Sequence, residues 1–143
     1  MNKQEILEFL NKNKACILAT AEGGKPHARG MMIFRADENG IVFHTGKFKD
    51  VYKQLTANPN VELCFNNANP NFMEYVQIRV SGTAVPDNDP KLREEIIAER
   101  AFLKPVMAKF GDDAVCVFRV KNPVATVWTM ATNLAPKAYI ELK

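Results

Sequence analysis

The first ten residues, MNKQEILEFL, place Ile6, Leu7, Phe9 and Leu10 at helical spacing behind Asn2 and Glu5. Asn at a helix start with Glu three residues later is the capping-box pattern, in which each side chain serves the other's backbone N–H. A short helix is therefore predicted to open the chain and to end between residues 11 and 14. CILATA reads as a buried strand and EGGKP as a turn. From residue 26 to 36 the pattern alternates. His27, Arg29, Met31, Ile33 and Arg35 share one face; Ala28, Gly30, Met32, Phe34 and Ala36 share the other. DENG then signals a tight turn into a third strand, IVFHT.

The stretch FHTGKFKDVYKQL passes from that strand into an amphipathic helix with Val51 and Leu55 inward, stopping near Asn58 and Pro59. VELCFN gives a fourth strand, and MEYVQIRVSGTAVP a fifth with Val76, Ile78 and Val80 facing in. Residues 87–110 read as one or two helices, with Leu92, Ile96 and Ile97 as the apolar stripe and Pro105 as an interruption. AVCVFRVKNPVATVWTM is a sixth strand bent at Asn122 and Pro123, and AYIEL a last short one. Six or seven strands joined mostly by short turns, with three helices, predict a mainly β fold: a small antiparallel barrel with peripheral helices.

The 143 residues suffice for one domain with a real core and are too few for two, so a single domain over residues 1–143 is expected. A net charge of +3, with the lysines dispersed, gives no reason to expect nucleic acid. Cys16, Cys64 and Cys116 each fall in a strand pattern, as small strand residues in a reducing compartment do. No apolar run reaches signal-peptide or membrane-spanning length, so a cytoplasmic protein without membrane contact is expected. Two histidines, His27 and His44, and one serine, Ser81, leave no usual metal set and no serine triad. Chemistry, where there is any, is then expected to come from a bound cofactor.

Lys47, Lys49 and Lys53 crowd the start of a helix, where positive charge is unfavourable. An anion at that junction would explain them. Arg29 on the second strand, neighbour to the third if the two form a hairpin, would join Thr45, Lys47 and Lys49 in a phosphate site. The competing assignment is a solvated helix edge with Arg29 on the surface, and on the residues alone it is the stronger. Gln77 either meets the edge of a heterocycle or is an exposed strand residue. Trp128, the one tryptophan, either stacks on a flat ring, covers a subunit interface or packs in the core. His27 and His44 are candidates for assisting proton transfer.

The ordered set ILATAEGGKPHARGMMIF, GIVFHTGKFKDVYKQLTANPNVELCF, YVQIRVSGTA and PVATVW resembles the pyridoxamine 5'-phosphate oxidase-like family across most of the chain. That resemblance implies a six-stranded antiparallel split β-barrel that forms a homodimer with FMN at the interface. It implies Arg29 at the FMN phosphate, Gly30, Met31 and Met32 along the isoalloxazine, and Thr45 as the hydroxyl ending the third strand. It also implies Gln77 reaching the flavin and Trp128 close to the ring. The family often has a Ser-x-Lys step where this chain has Lys49, Asp50 and Val51, so Lys47 and Lys49 are expected to serve the phosphate instead. True pyridoxamine phosphate oxidases carry an Arg- and His-rich C-terminal segment, and TMATNLAPKAYIELK has neither. The resemblance thus favours a short flavoprotein of the nitroimidazole-reductase or general-stress type, an oxidoreductase passing electrons from a reduced nicotinamide to a small acceptor. The alternatives are a carrier or sensor of FMN, FAD, deazaflavin or haem, and an empty barrel that serves only to dimerise.

Overall fold

The computed structural model describes residues 1–143. Asn2 and Glu5 form the reciprocal cap, with bonds of 2.7 and 2.9 Å. They start α1 (Lys3–Lys12), which buries Ile6, Leu7 and Leu10. Next come β1 (Ala15–Glu22), β2 (Lys25–Met32), β3 (Arg35–Asp37), β4 (Gly40–Thr45), α2 (Asp50–Ala57), β5 (Asn60–Asn66) and β6 (Val76–Pro86). The chain ends with α3 (Pro90–Glu99), α4 (Leu103–Phe110), β7 (Cys116–Thr129) and β8 (Ile140–Glu141). Short 3₁₀ turns precede and follow β7. No helix is long and apolar enough to cross a membrane.

The strands form one antiparallel sheet in the order β2-β1-β5-β6-β7-β4-β3, with β8 added to β7. Its two end strands, β2 and β3, are consecutive in sequence and separated only by Ile33 and Phe34. The Ile33 N–H bonds the Lys14 carbonyl at 3.0 Å, and the Phe34 N–H bonds the Val42 carbonyl at 2.7 Å. One bent strand therefore pairs with β1 in its first half and with β4 in its second, and the sheet closes on itself. Counted this way the barrel has the six expected strands; counted separately the sheet has eight, against the six or seven read from the sequence.

The uninterrupted alternation expected over residues 26–36 does not hold. Met31 and Ile33 pack on the barrel core, but so does Ala36, while Phe34 faces a second cluster. The inward parity shifts by one residue at the bend, because closure needs both flanks buried there. The neighbouring β3–β4 hairpin turns at Gly40, whose φ is +122°. A Cβ there would lie 2.3 Å from the Val120 carbonyl oxygen, so only glycine fits.

Inside the barrel Leu18, Phe43, Leu63, Phe65, Ile78 and Val80 are fully buried. The second cluster, with Val42, Leu92, Ile96, Leu103 and Val117, packs α3 and α4 on the outside. The chain breaks between these helices at residues 100–102, giving four α-helices rather than three. Pro105 does not interrupt a helix. It sits in the first turn of α4, where its missing N–H would have had no partner anyway. Asn122 does bend β7, at φ 52°, beside a register shift between Ser81 and Thr83 on β6.

Candidate functional site

The sequence-predicted residues fall into two groups on this barrel. The first gathers around Arg29, which lies opposite Leu18 on the β1–β2 ladder. Its guanidinium donates to the Leu18 carbonyl at 3.1 Å, to Thr20 Oγ1 at 3.0 Å and to Gln54 Oε1 of α2. Thr20 also donates to Gln54 Oε1, at 2.6 Å, and both residues are buried. Every acceptor is neutral, and Arg29 belongs to none of the chain's ion pairs. Burial pulls its pKa below the usual arginine value, and Asp50 at the start of α2 offsets this in part. The outcome is a partly desolvated cation with no anion bonded to it.

The expected hairpin forms only at the far end of the bent β2–β3 strand, where Arg35, Ala36 and Asp37 pair with Val42, Ile41 and Gly40, while Arg29 pairs with Leu18 on β1. β2 pairs with β1, and the hairpin partner of β4 is β3. Thr45 ends β4 on the inward face, 4% exposed, and its Oγ1 has no hydrogen-bond partner. Thr45 is thus a buried hydroxyl one turn ahead of the helix that carries Gln54. Between them, Lys47 and Lys49 are exposed and make no ion pair. The Lys47 N–H is held by the Asp113 carbonyl at 2.8 Å. Lys49 is the N-cap residue of α2, and no side chain caps that helix. Val51 packs in the barrel core, so no cation stands at the family's usual lysine position.

His44 lies on the other face of β4. Its Nε2 is 2.9 Å from Arg100 Nη1, at the end of α3. A guanidinium only donates, so Nε2 accepts and the neutral ring carries its proton on Nδ1. Arg100 also donates to the Ile33 carbonyl at 2.6 Å and covers the Phe34 ring, tying α3 to the barrel's closing bend. Burial first, then Arg100 and Lys49, push the His44 pKa from 6.5 down to about 4. Its ring is therefore neutral at physiological pH and bound to an arginine. The folded state resists a proton that the unfolded chain accepts near pH 6.5. Stability is then expected to fall as pH drops from 6.5 towards 4. Urea midpoints across that window should show the loss, and the non-titrating His44→Gln should flatten this part of the curve.

The second group is Gln77 and Trp128, direct neighbours across the β6–β7 ladder. Together with Arg79, Thr126 and a loop over residues 132–140 they line a cleft of about 560 Å³. The Trp128 indole N–H donates to Asn133 Oδ1 at 2.9 Å, and its ring meets Phe72 and Tyr75 edge-on at 5.6 and 6.1 Å. The indole wall is thus held from two sides. Phe72, Tyr75 and Asn133 were not legible as site residues, although two aromatics in so polar a loop, NNANPNFMEY, were a usable signal.

Ladder register relates the two groups. Gly30 pairs with Ile17, Ile17 with Cys64, Cys64 with Arg79, and Arg79 with Thr126. Gly30, Met32, Gln77 and Trp128 therefore share the outer face of five adjacent strands. Along this outer face four inter-strand steps of about 4.8 Å, a path of about 19 Å, lead from β2 to β7 through β1, β5 and β6. Arg29 and Met31 point the other way on β2. One protomer does not bring all nine predicted residues into one site.

The family model described as pyridoxamine 5'-phosphate oxidase matches residues 3–127. The chain is 31% identical over 96 residues to general stress protein 26 of Bacillus subtilis, covering 66% of each. It spans 66%, 36% and 28% of the curated relatives that it matches. A NimC/NimA family protein of Clostridium acetobutylicum superposes over 99% of this chain and 92% of its own, with a TM-score of 0.72 and 22% identity. The haem storage protein of Vibrio cholerae does so over 90% and 95%, with a TM-score of 0.65 and 18% identity. These two share the fold. By the match of the family model over most of its length, this chain belongs to the pyridoxamine 5'-phosphate oxidase family.

Proposed function

We propose that the protein binds FMN as a homodimer and acts as an oxidoreductase on a small acceptor. The observation that carries this reading is Arg29, a half-buried cation whose bonded partners are all neutral. A phosphate would supply the missing charge, and the orphaned Thr45 hydroxyl would gain a partner from it. Both residues offer the donors that a phosphate takes. Lys47 and Lys49 add positive charge just ahead of α2, whose start has no side-chain cap and carries Asp50 as its one opposing charge.

The reading takes a homodimer to complete the site, because Gly30 and Met32 lie four strands along the outer face from Gln77 and Trp128. A second copy laid on the outer face of β2, β1, β5, β6 and β7 would bring its Gln77 and Trp128 against this chain's Gly30 and Met32. That face exposes Ile17 at 48% and Met32 at 56%, which a partner would cover. FMN supplies hydride and electron transfer when bound. The chain would hold its phosphate with Arg29 and Thr45, present β2 backbone at Gly30, Met31 and Met32 to its ring, and offer the Gln77 amide to its polar edge.

A flavin carrier without turnover is the second reading. His44 favours it, since its Nε2 is committed to Arg100 and offers no free base. The visible spectrum after loading with FMN and desalting tests both. Two retained flavin bands support the binding, and a colourless protein refutes it. Bleaching by NADH or NADPH without oxygen then marks the oxidoreductase, and a stable yellow colour marks the carrier.

A further inference from the structure

Among the fifteen residues that line the Trp128 cleft, the charged side chains are Arg79 and Lys137, Met1 adds its terminal ammonium, and none is aspartate or glutamate. Arg79 is only loosely engaged, 3.9 Å from Glu62, and Lys137 makes no ion pair. The neutral polar groups facing the same space, Gln77, Thr126 and Asn133, offer side-chain donors. One wall is the immobilised indole of Trp128. A flat aromatic surface beside a planar guanidinium fork, in a cleft without negative charge, selects a ligand that is both planar and anionic.

We propose that the loop side of this cleft, between Trp128, Arg79 and Lys137, binds an aromatic carboxylate. The ring stacks on or against the indole, Arg79 takes the carboxylate, and Lys137 adds a second positive charge from the loop. Under the flavin reading this ligand is the small acceptor, and to that extent the inference rests on that reading. The binding itself needs no flavin, because neither Arg79 nor Lys137 belongs to the Arg29 and Thr45 group.

Trp128 is the only tryptophan, so intrinsic indole emission reports on this cleft alone. The test is a fluorescence titration with 4-nitrobenzoate and 4-nitrobenzamide, which share a ring and differ in charge. It is run on the full chain with and without added FMN. Saturable quenching is expected with about tenfold tighter binding of the acid, the size of one charge-assisted contact. The double variant Arg79→Gln, Lys137→Gln is expected to erase that preference while leaving the amide's affinity unchanged. Equal binding of acid and amide, or a preference that survives the double variant, overturns the proposal. A protein that retains no FMN yet still prefers the acid through these two residues would sink the flavin reading and leave this one standing.

Discussion

Arg29→Gln is expected to weaken FMN binding by about 10–100-fold and to leave riboflavin binding unchanged. One charge-assisted contact to a phosphate is worth about 1.5–3 kcal/mol, and riboflavin has no phosphate to lose. Equilibrium titrations of both flavins with wild type and variant would show it. In wild type FMN should bind more tightly than riboflavin; in the variant the two should converge. Equal losses for both would mean that Arg29 supports the fold of the site and not the phosphate. A stability cost is expected alongside, because Thr20 and Gln54 are buried and lose a charged donor. About 1–3 kcal/mol is the usual cost of such a loss, readable as a lowered urea midpoint. Arg29→Lys, which keeps the charge but not the fork, should fall between the two in FMN affinity.

Leu142→Ala is expected to destabilise the protein by about 2–5 kcal/mol, a large fraction of the stability of an ordinary domain. Leu142 stands one residue from the C-terminal end and is 0% exposed, inside the barrel cluster. Its N–H is held by the Pro123 carbonyl at 2.9 Å, and β8 just before it pairs with Val124 and Ala125. This leucine pins the loop that lines the Trp128 cleft. A chain cut after Ile140 should show the same loss in urea unfolding, with Trp128 emission shifted to longer wavelength as the loop leaves the indole. If truncation changes neither, the loop is held by something other than Leu142.

The outer face of the sheet links these two results. Arg29 acts from inside and beneath β2, while Leu142 secures a loop beyond β7 at the far side of the same surface. A dimer across that face would make the two ends meet. Both variants are then expected to weaken FMN binding, Arg29→Gln through the phosphate and Leu142→Ala through the ring.

Local patterns settled much on their own. Asn2 and Glu5 announced the first cap, the alternation in VELCFN and VQIRV announced strands with Leu63, Phe65, Ile78 and Val80 inside, and Asn122 with Pro123 announced the bend in β7. Each depends on neighbours within a few residues, and such preferences are written directly into sequence. The ordered motifs also carried the family and the split-barrel class. Tertiary structure alone decided the rest. Closure at Ile33 and Phe34 shifted the parity of a strand that read as continuous, because burial on both flanks outweighed alternation. Packing of α2 against the barrel brought Gln54 to Arg29, 25 residues away. The folded sheet left the Thr45 hydroxyl without a partner, α3 committed the His44 ring to an arginine 56 residues distant, and β6–β7 pairing set Gln77 beside Trp128 in one cleft with Arg79. Contacts of that range depend on how the whole sheet curls, which no local spacing of residues encodes.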